Sequence, residues 1–148
     1  MTIAVDFDGT IVEHEYPKIG KPIPFAFEVL RKLQYEDNHK LILWTMREGR
    51  LLQEAVDFCE SNGIYFYACN KNYPEEELQY SPRKIGVDVF IDDRNIGGLP
   101  DWGVIYHLLK TGSNSIFDVD YLEKTIQPQR KKNWMIRLGE AWARAKNL

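Results

Sequence analysis

Four short apolar runs mark out the chain, and longer stretches with a helical hydrophobic pattern separate them. The runs cover residues 3–5, 41–44, 64–69 and 87–91, and they are rich in β-branched and aromatic side chains. Short apolar runs of this composition predict buried β-strands. The hydrophobic pattern therefore predicts a sheet of at least four strands.

Two of the separating stretches predict helices. Apolar residues recur at helical spacing over about residues 25–35, and again from Gly49 onward. Gly63 lies where the glycine that ends a helix is commonly found, so we expect the second helix to end just before it. By contrast, residues 11–24 contain three prolines and a glycine, which predict a tight turn and a small flap.

The chain beyond residue 100 is less regular. We predict a third helix that Asp101 caps and that ends before Gly112, although a fifth strand over residues 104–109 is an alternative. Apolar residues at roughly helical spacing predict a C-terminal helical extension over about residues 121–148.

The order strand, helix, strand, helix, strand, turn, strand predicts an α/β fold. Such an order is typical of a parallel sheet with helices on both faces, a three-layer α/β/α arrangement of the Rossmann-like kind. The 148 residues contain no internal repeat or linker and suit one domain over residues 1–148.

Composition narrows the classes of function. The chain is 44% hydrophobic and 28% charged with a net charge of −3, which is typical of a globular protein and does not favour a nucleic-acid partner. No apolar run approaches the about 18 residues of a membrane helix, and Met1 leads directly into a strand, so we expect a cytoplasmic protein without a targeting peptide or membrane partner. In that compartment Cys59 and Cys69 would be reduced thiols.

Polar residues able to do chemistry follow three of the predicted strands. Asp6 and Asp8 follow the first strand, Thr45 the second, and Asp92 and Asp93 the fourth. Because the carboxyl ends of parallel strands lie at one edge of a sheet, we expect these side chains to lie close together. Several carboxylates around one point form the hard oxygen ligand set that Mg²⁺ prefers.

These residues also match the motifs of a known family. The segment DFDGT at residues 6–10 resembles the first motif of the haloacid dehalogenase-like superfamily in its phosphatase form. Thr45 resembles the second motif, Lys84 the third-motif lysine, and Asp92 with Asp93 the acidic fourth motif. The resemblance covers residues 3–95, and the presence of all four motifs in order makes it specific.

The resemblance implies a magnesium-dependent phosphomonoester hydrolase. Asp6 would attack phosphorus and form an aspartyl-phosphate, and Asp8 would act as general acid and then as general base. Magnesium would be held by the Asp6 side chain, the Asp8 carbonyl and Asp92, with Asp93 as a further ligand directly or through water. An aspartate at position 8 favours phosphate chemistry over dehalogenation.

Other residues are implied in binding the phosphate. Thr45 and Lys84 would stabilise the transferring group, with Lys71 as the alternative lysine. Four further candidates for substrate binding adjoin the motifs: Gly9, Thr10, Arg47 and Arg94. Gly9 would let backbone amides face the phosphate, whereas the two arginines would either contact substrate or pair with an aspartate.

The segments between the motifs bear on substrate selection. Superfamily members usually carry a cap domain after the first or the third strand, but residues 11–24 and 70–82 are too short for one. We therefore expect a capless enzyme with an open site, and a homo-oligomer whose interface includes the flap or the tail. The sequence does not identify the phosphorylated substrate. Two alternatives are a catalytically silent phosphate-binding module and a phosphatase acting on nucleic-acid ends.

Overall fold

The computed structural model describes residues 1–77 and 84–112, and the unit Met1–Thr111 is compact. Its elements are the strands β1 (Thr2–Val5), β2 (Lys40–Leu43), β3 (Ala68–Cys69) and β4 (Val89–Ile91), and the helices α1 (Ala26–Arg31), α2 (Gly49–Ser61) and α3 (Trp102–Thr111). A π-helical segment over Lys32–Glu36 continues α1. No helix among the described residues is long and apolar enough to cross a membrane. The predicted extension over residues 121–148 lies outside the described part of the chain.

The four strands form one parallel sheet in the order β3-β2-β1-β4, which confirms the predicted α/β class. In this sheet Val5 lies opposite Ile91, at the last residues of β1 and β4. The chain continues from these two residues into Asp6 and Asp92. The register therefore brings two of the predicted acidic residues to the same edge of the sheet.

The two faces of the sheet pack differently. Alternate strand residues such as Ile3 and Val5 belong to a large core to which α1, α2 and α3 all contribute. Residues of the opposite face, such as Ala4 and Ile42, form a smaller cluster with Ile85. Right-handed crossovers from β1 to β2 and from β2 to β3 run in one direction, and so place α1 and α2 on the same face. The second helical layer of the predicted three-layer arrangement is not among the described residues.

The third strand is shorter than predicted, since residues 64–67 are not part of it. The amide of Ile64 donates to the Cys59 carbonyl (3.0 Å) and that of Gly63 to the Glu60 carbonyl (2.9 Å), so these residues cap α2. The side chain of Gln34 then bonds both backbone polar groups of Tyr65. These partners take the place of a strand ladder at Ile64 and Tyr65, whereas the Tyr67 amide still donates to the Leu41 carbonyl of β2 (2.8 Å). The fourth strand is also shorter, at Val89–Ile91.

The segment after residue 100 is a helix, so the alternative of a fifth strand over 104–109 is wrong. Asp101 caps α3, because its Oδ1 accepts a hydrogen bond from the Gly103 amide (2.8 Å). The buried residues Trp102 and Ile105 are three positions apart, on one face of the helix. Gly112 follows the helix with a φ of 67°, as expected of a terminating glycine.

Candidate active site

The loop after β1 is tight and held by its own backbone. The Phe7 carbonyl accepts from the amides of Ile11 (3.0 Å) and Val12 (3.1 Å). Gly9 has a φ of 91°, and a Cβ atom at this position would lie 2.3 Å from Oδ2 of Asp93. The positive φ favours glycine here, and the Asp93 carboxylate packs against the position that a Cβ would take. The Gly9 amide donates to the Val12 carbonyl (2.7 Å), so an amide that faces a phosphate would belong to another residue of the loop.

Thr10 joins the ends of β1 and β4. Its hydroxyl donates to Oδ2 of Asp6 (3.2 Å) and accepts from the Asp93 amide (3.0 Å). The Thr10 side chain is fully buried, so it cannot contact substrate as predicted. Its carbonyl accepts a hydrogen bond from Nε1 of Trp102 (3.1 Å), which links α3 to the same loop.

Three carboxylates converge at this point. Asp6, Asp92 and Asp93 each offer an oxygen, and these oxygens lie within 4.8 Å of one another. Oδ1 of Asp93 is buried and accepts no hydrogen bond within the described chain. A buried carboxylate oxygen without a partner is costly, and a bound cation would remove that cost.

The electrostatics of Asp6 follow from this arrangement. Burial raises the pKa of Asp6 to about 6, and the negative charges of Asp92 and Asp93 add to the effect. Hydrogen bonds from the Phe7 amide and from Thr10 act in the opposite direction and lower this pKa. A divalent cation would offset the repulsion among the three carboxylates, so the donor set suits such an ion.

Asp8 points into a different environment and is not part of this carboxylate cluster. Its Oδ2 accepts a hydrogen bond from Nε of Arg47 (2.7 Å), and its Oδ1 accepts one from Nη2 (2.6 Å). Arg47 is fully buried. Of the two roles left open for Arg47, the structure shows pairing with an aspartate and leaves no surface for substrate contact.

Thr45 lies at the end of β2 as predicted and lines the cleft in front of the carboxylates. Its hydroxyl accepts a hydrogen bond from the Arg47 amide (3.2 Å), and its own amide donates to Oδ1 of Asn70 (2.8 Å). Asn70 also lines the cleft and was not recognised in the sequence. Its position directly after the third apolar run was the available signal.

The structure does not bring a lysine into the cleft from the described residues. Lys84 is exposed and Lys71 half-buried, and neither lines the cleft. The basic side chains that do line it are Arg94 and His14, both exposed. Arg94 therefore lies where it was predicted, whereas the choice between Lys84 and Lys71 stays a prediction.

The cleft has a volume of about 1040 Å³, at the upper end for a small-molecule site. Apolar side chains line it beside the acidic ones, namely Tyr16, Trp44, Met46 and Ile85. Glu76 also lines the cleft, and it is buried and accepts hydrogen bonds from the amide and the side chain of Asn72. The cleft thus has an anionic end, formed by carboxylates, next to an apolar wall.

Comparison with solved structures finds a similar protein. No protein-family model and no curated protein matches the chain. A solved structure of a conserved protein from Bacteroides thetaiotaomicron is 61% identical, with a TM-score of 0.72. The match covers 76% of this chain and 91% of that protein. This chain therefore belongs to the same protein family as the conserved Bacteroides thetaiotaomicron protein.

Proposed function

We propose that the protein is a magnesium-dependent phosphomonoester hydrolase of the haloacid dehalogenase-like superfamily. The observation that carries the proposal is the convergence of Asp6, Asp92 and Asp93 at one edge of the sheet, with an unpartnered buried oxygen on Asp93. Parallel α/β proteins bind ligands at the carboxyl ends of their strands, at the point where the strand order changes direction. In this sheet that point lies between β1 and β4.

The proposed metal site consists of half-buried side chains, two of which line the cleft. Asp6, Asp92 and Asp93 would hold the ion, and Thr10 fixes the positions of Asp6 and Asp93 through its hydroxyl. Bound magnesium would neutralise the carboxylates and the phosphate so that two anions can approach each other.

Asp6 and Asp8 divide the chemistry. An oxygen of Asp6 attacks phosphorus, the bond from phosphorus to the leaving oxygen breaks, and Asp8 gives that oxygen a proton. Asp8 then removes a proton from a water molecule, which attacks the aspartyl-phosphate. Inorganic phosphate leaves and Asp6 is regenerated, so atoms and charges balance over the two steps.

The phosphate would be oriented by groups that line the cleft. Thr45 can donate its hydroxyl proton, because the Arg47 amide occupies only an acceptor position of that oxygen. Arg94 supplies a positive charge at the exposed rim. Lys84 is the lysine implied by the third motif, with Lys71 as its alternative.

The proposal includes an open site. Residues 11–24 form only a small flap, in which the amide of Glu13 donates to the Lys21 carbonyl (2.8 Å) and that of Ile23 to the Ile11 carbonyl (2.9 Å). A segment of this size supports the capless type. A homo-oligomer in which a second copy covers the cleft is part of the same proposal, and light scattering with size-exclusion chromatography would test it.

The direct test is hydrolysis of p-nitrophenyl phosphate by the purified protein. We expect activity with magnesium, none with a chelator, and a loss of at least about 10³-fold in Asp6→Asn, since the nucleophile is removed. Asp57→Asn is the matched control, because Asp57 lies on α2 away from the cleft and bonds only Gln53 among the contacts seen. Equal activity of wild type and Asp6→Asn would overturn the proposal.

A trapping experiment separates an enzyme from a silent phosphate-binding module. Beryllofluoride with magnesium should form an adduct on Asp6, which native mass spectrometry would detect on wild type but not on Asp6→Asn. Phosphate binding without such an adduct or turnover would favour the silent module. Preference for a phosphorylated DNA end over small esters, with strong salt dependence, would favour the nucleic-acid phosphatase.

A further inference from the structure

The fully buried Arg47 makes more contacts than pairing with one aspartate requires. Nε and Nη2 bond the two oxygens of Asp8 in a bidentate pair, at 2.7 and 2.6 Å. Nη1 donates to the Pro17 carbonyl (3.0 Å), and Nη2 donates a second bond to the Lys18 carbonyl (2.7 Å). The guanidinium group therefore uses four of its five N–H groups, and all four bonds go to Asp8 or to the flap.

Aromatic rings enclose the same group. Cζ of Arg47 lies 5.0 Å from the ring centre of Phe7 and 5.4 Å from that of Tyr16. Both distances suit a cation over an aromatic face. Phe7 lies between Asp6 and Asp8 in the chain, and Tyr16 belongs to the flap. Besides its hydrogen bonds, Arg47 therefore contacts the loop after β1 through the Phe7 ring and the flap through the Tyr16 ring.

The part of the flap over residues 13–21 carries two residues that line the cleft, His14 and Tyr16. Glu13 and Lys21 close its base through their backbones. Between these ends, Arg47 contacts Tyr16, Pro17 and Lys18 and so holds the flap against the loop after β1. The position of the flap therefore depends on the same side chain that orients Asp8.

We propose that Arg47 is a positioning residue that couples the flap to Asp8. When Arg47 is paired, the Asp8 carboxylate is aimed and His14 and Tyr16 are held at the cleft; when the pair is broken, both are released together. One arginine bond to each Asp8 oxygen leaves a further lone pair on each, so the pairing orients Asp8 without preventing proton transfer. The catalytic part of this inference rests on the proposed phosphatase function, whereas the coupling itself does not.

Limited proteolysis with trypsin tests the coupling without any assumption about activity. The Lys18–Ile19 bond is the cleavable bond inside the flap, because Lys21 precedes Pro22. Cleavage at Arg50 in α2 serves as the internal standard for general unfolding. We expect Arg47→Met and Asp8→Asn each to speed cleavage after Lys18 at least about tenfold relative to the standard, because the population with an open flap rises.

The matched control is Asp6→Asn, the same substitution two residues away and outside the Arg47 pair. It should leave cleavage after Lys18 within about twofold of wild type. The double variant Asp8→Asn with Arg47→Met should be cleaved no faster than Arg47→Met alone, because that change already removes every Arg47 bond to Asp8 and to the flap. Cleavage after Lys18 that Asp8→Asn leaves unchanged would overturn the coupling. If Arg47→Met does not fold, Asp8→Asn and Arg47→Lys decide the question.

Kinetics test the catalytic consequence. Arg47→Lys keeps the charge but cannot form the two-pronged pair, so kcat should fall at least about tenfold with KM changed less. Added guanidinium ion should restore part of the activity of Arg47→Ala, whereas urea should not. Arg50→Ala is the control, since Arg50 is an exposed arginine that pairs with Glu54.

The two arms separate the possible failures. An inactive wild type with a coupled flap would overturn the proposed function and leave the coupling intact. An active wild type whose Arg47→Ala variant gains nothing from guanidinium, and whose flap is not loosened, would overturn the role of Arg47 alone.

Discussion

Asp6 and Asp8 are two residues apart on one loop, yet their surroundings are opposite. Asp6 lies among other carboxylates, and burial raises its pKa to about 6. Asp8 is paired through both oxygens with a buried arginine. The carboxylates around Asp6 repel one another, and a bound cation would reduce that repulsion. The charge of Asp8 is already balanced by the guanidinium group of Arg47. One short motif therefore builds two kinds of carboxylate.

The largest expected effect is on the free energy of unfolding, which substitution of the two aspartates should change in opposite directions. Asp8→Asn leaves Arg47 as a buried charge without its partner and should destabilise the protein by about 3–5 kcal/mol. Asp6→Asn removes a repelled charge and should stabilise the metal-free protein at pH 7 by about 1–2 kcal/mol. Urea unfolding of both variants measures the difference, with Asp57→Asn as the neutral control. Effects of the same sign would remove the contrast.

The pH dependence of stability isolates Asp6. Its pKa in the folded protein, about 6, lies above the ordinary value of 3.8, so the folded state binds the extra proton between these two pH values. The free energy of unfolding of the metal-free protein should therefore fall as pH rises from 4 to 6, by at most about 3 kcal/mol. Urea unfolding in chelator across this range measures the slope attributable to Asp6, which should be absent in Asp6→Asn. An unchanged slope in that variant would contradict this account.

Magnesium should stabilise the protein by binding at the carboxylate cluster of Asp6, Asp92 and Asp93, and not at Asp8. At a concentration about a hundredfold above its dissociation constant, the ion should stabilise wild type by about 2.7 kcal/mol, because it binds the folded state. Asp93→Asn should lose this gain, and Asp8→Asn should keep most of it, since its side chain is outside the carboxylate cluster. Thermal unfolding with and without magnesium provides the measurement. Equal losses in the two variants would mean that the aspartates share one site.

The smallest expected effect concerns the link between the two acidic strand ends. Thr10→Val removes the hydroxyl between Asp6 and Asp93 and leaves the buried Asp93 amide without its acceptor, at a cost of about 1–2 kcal/mol. Thr10→Ser keeps the hydroxyl and should recover most of the loss. Urea unfolding distinguishes the two. Destabilisation of the same size in both variants would assign the effect to packing of the methyl group.

The sequence predicted the parts of this site that local patterns determine. Apolar runs ending in acids placed Asp6 and Asp92 at one sheet edge, because the alternation of strands and helices predicts parallel strands whose carboxyl ends share an edge. Contacts between distant segments could not be read in this way. Arg47 had two open roles, and the fold decides between them by bringing it to Asp8, 39 positions away. The packing of the Asp93 carboxylate, from another strand end, against Gly9 is a contact of the same kind.

The third strand shows the same limit in a structural setting. Its aromatic residues have a strong preference for strands, but the cap of α2 and the side chain of Gln34 occupy the backbone groups of Ile64 and Tyr65. Intrinsic preference was overruled by the end of the preceding helix and by a side chain 31 positions away.

The hydrogen bond from Trp102 to the Thr10 carbonyl has a practical consequence. This buried indole is an intrinsic fluorophore, and Thr10 connects it to Asp6 of the carboxylate cluster. Its emission should respond to any ion or phosphate that shifts the loop after β1, with no label attached. With Phe in place of Trp44, Trp134 and Trp142, Trp102 is the remaining tryptophan, and a change in its emission reports occupancy of the site.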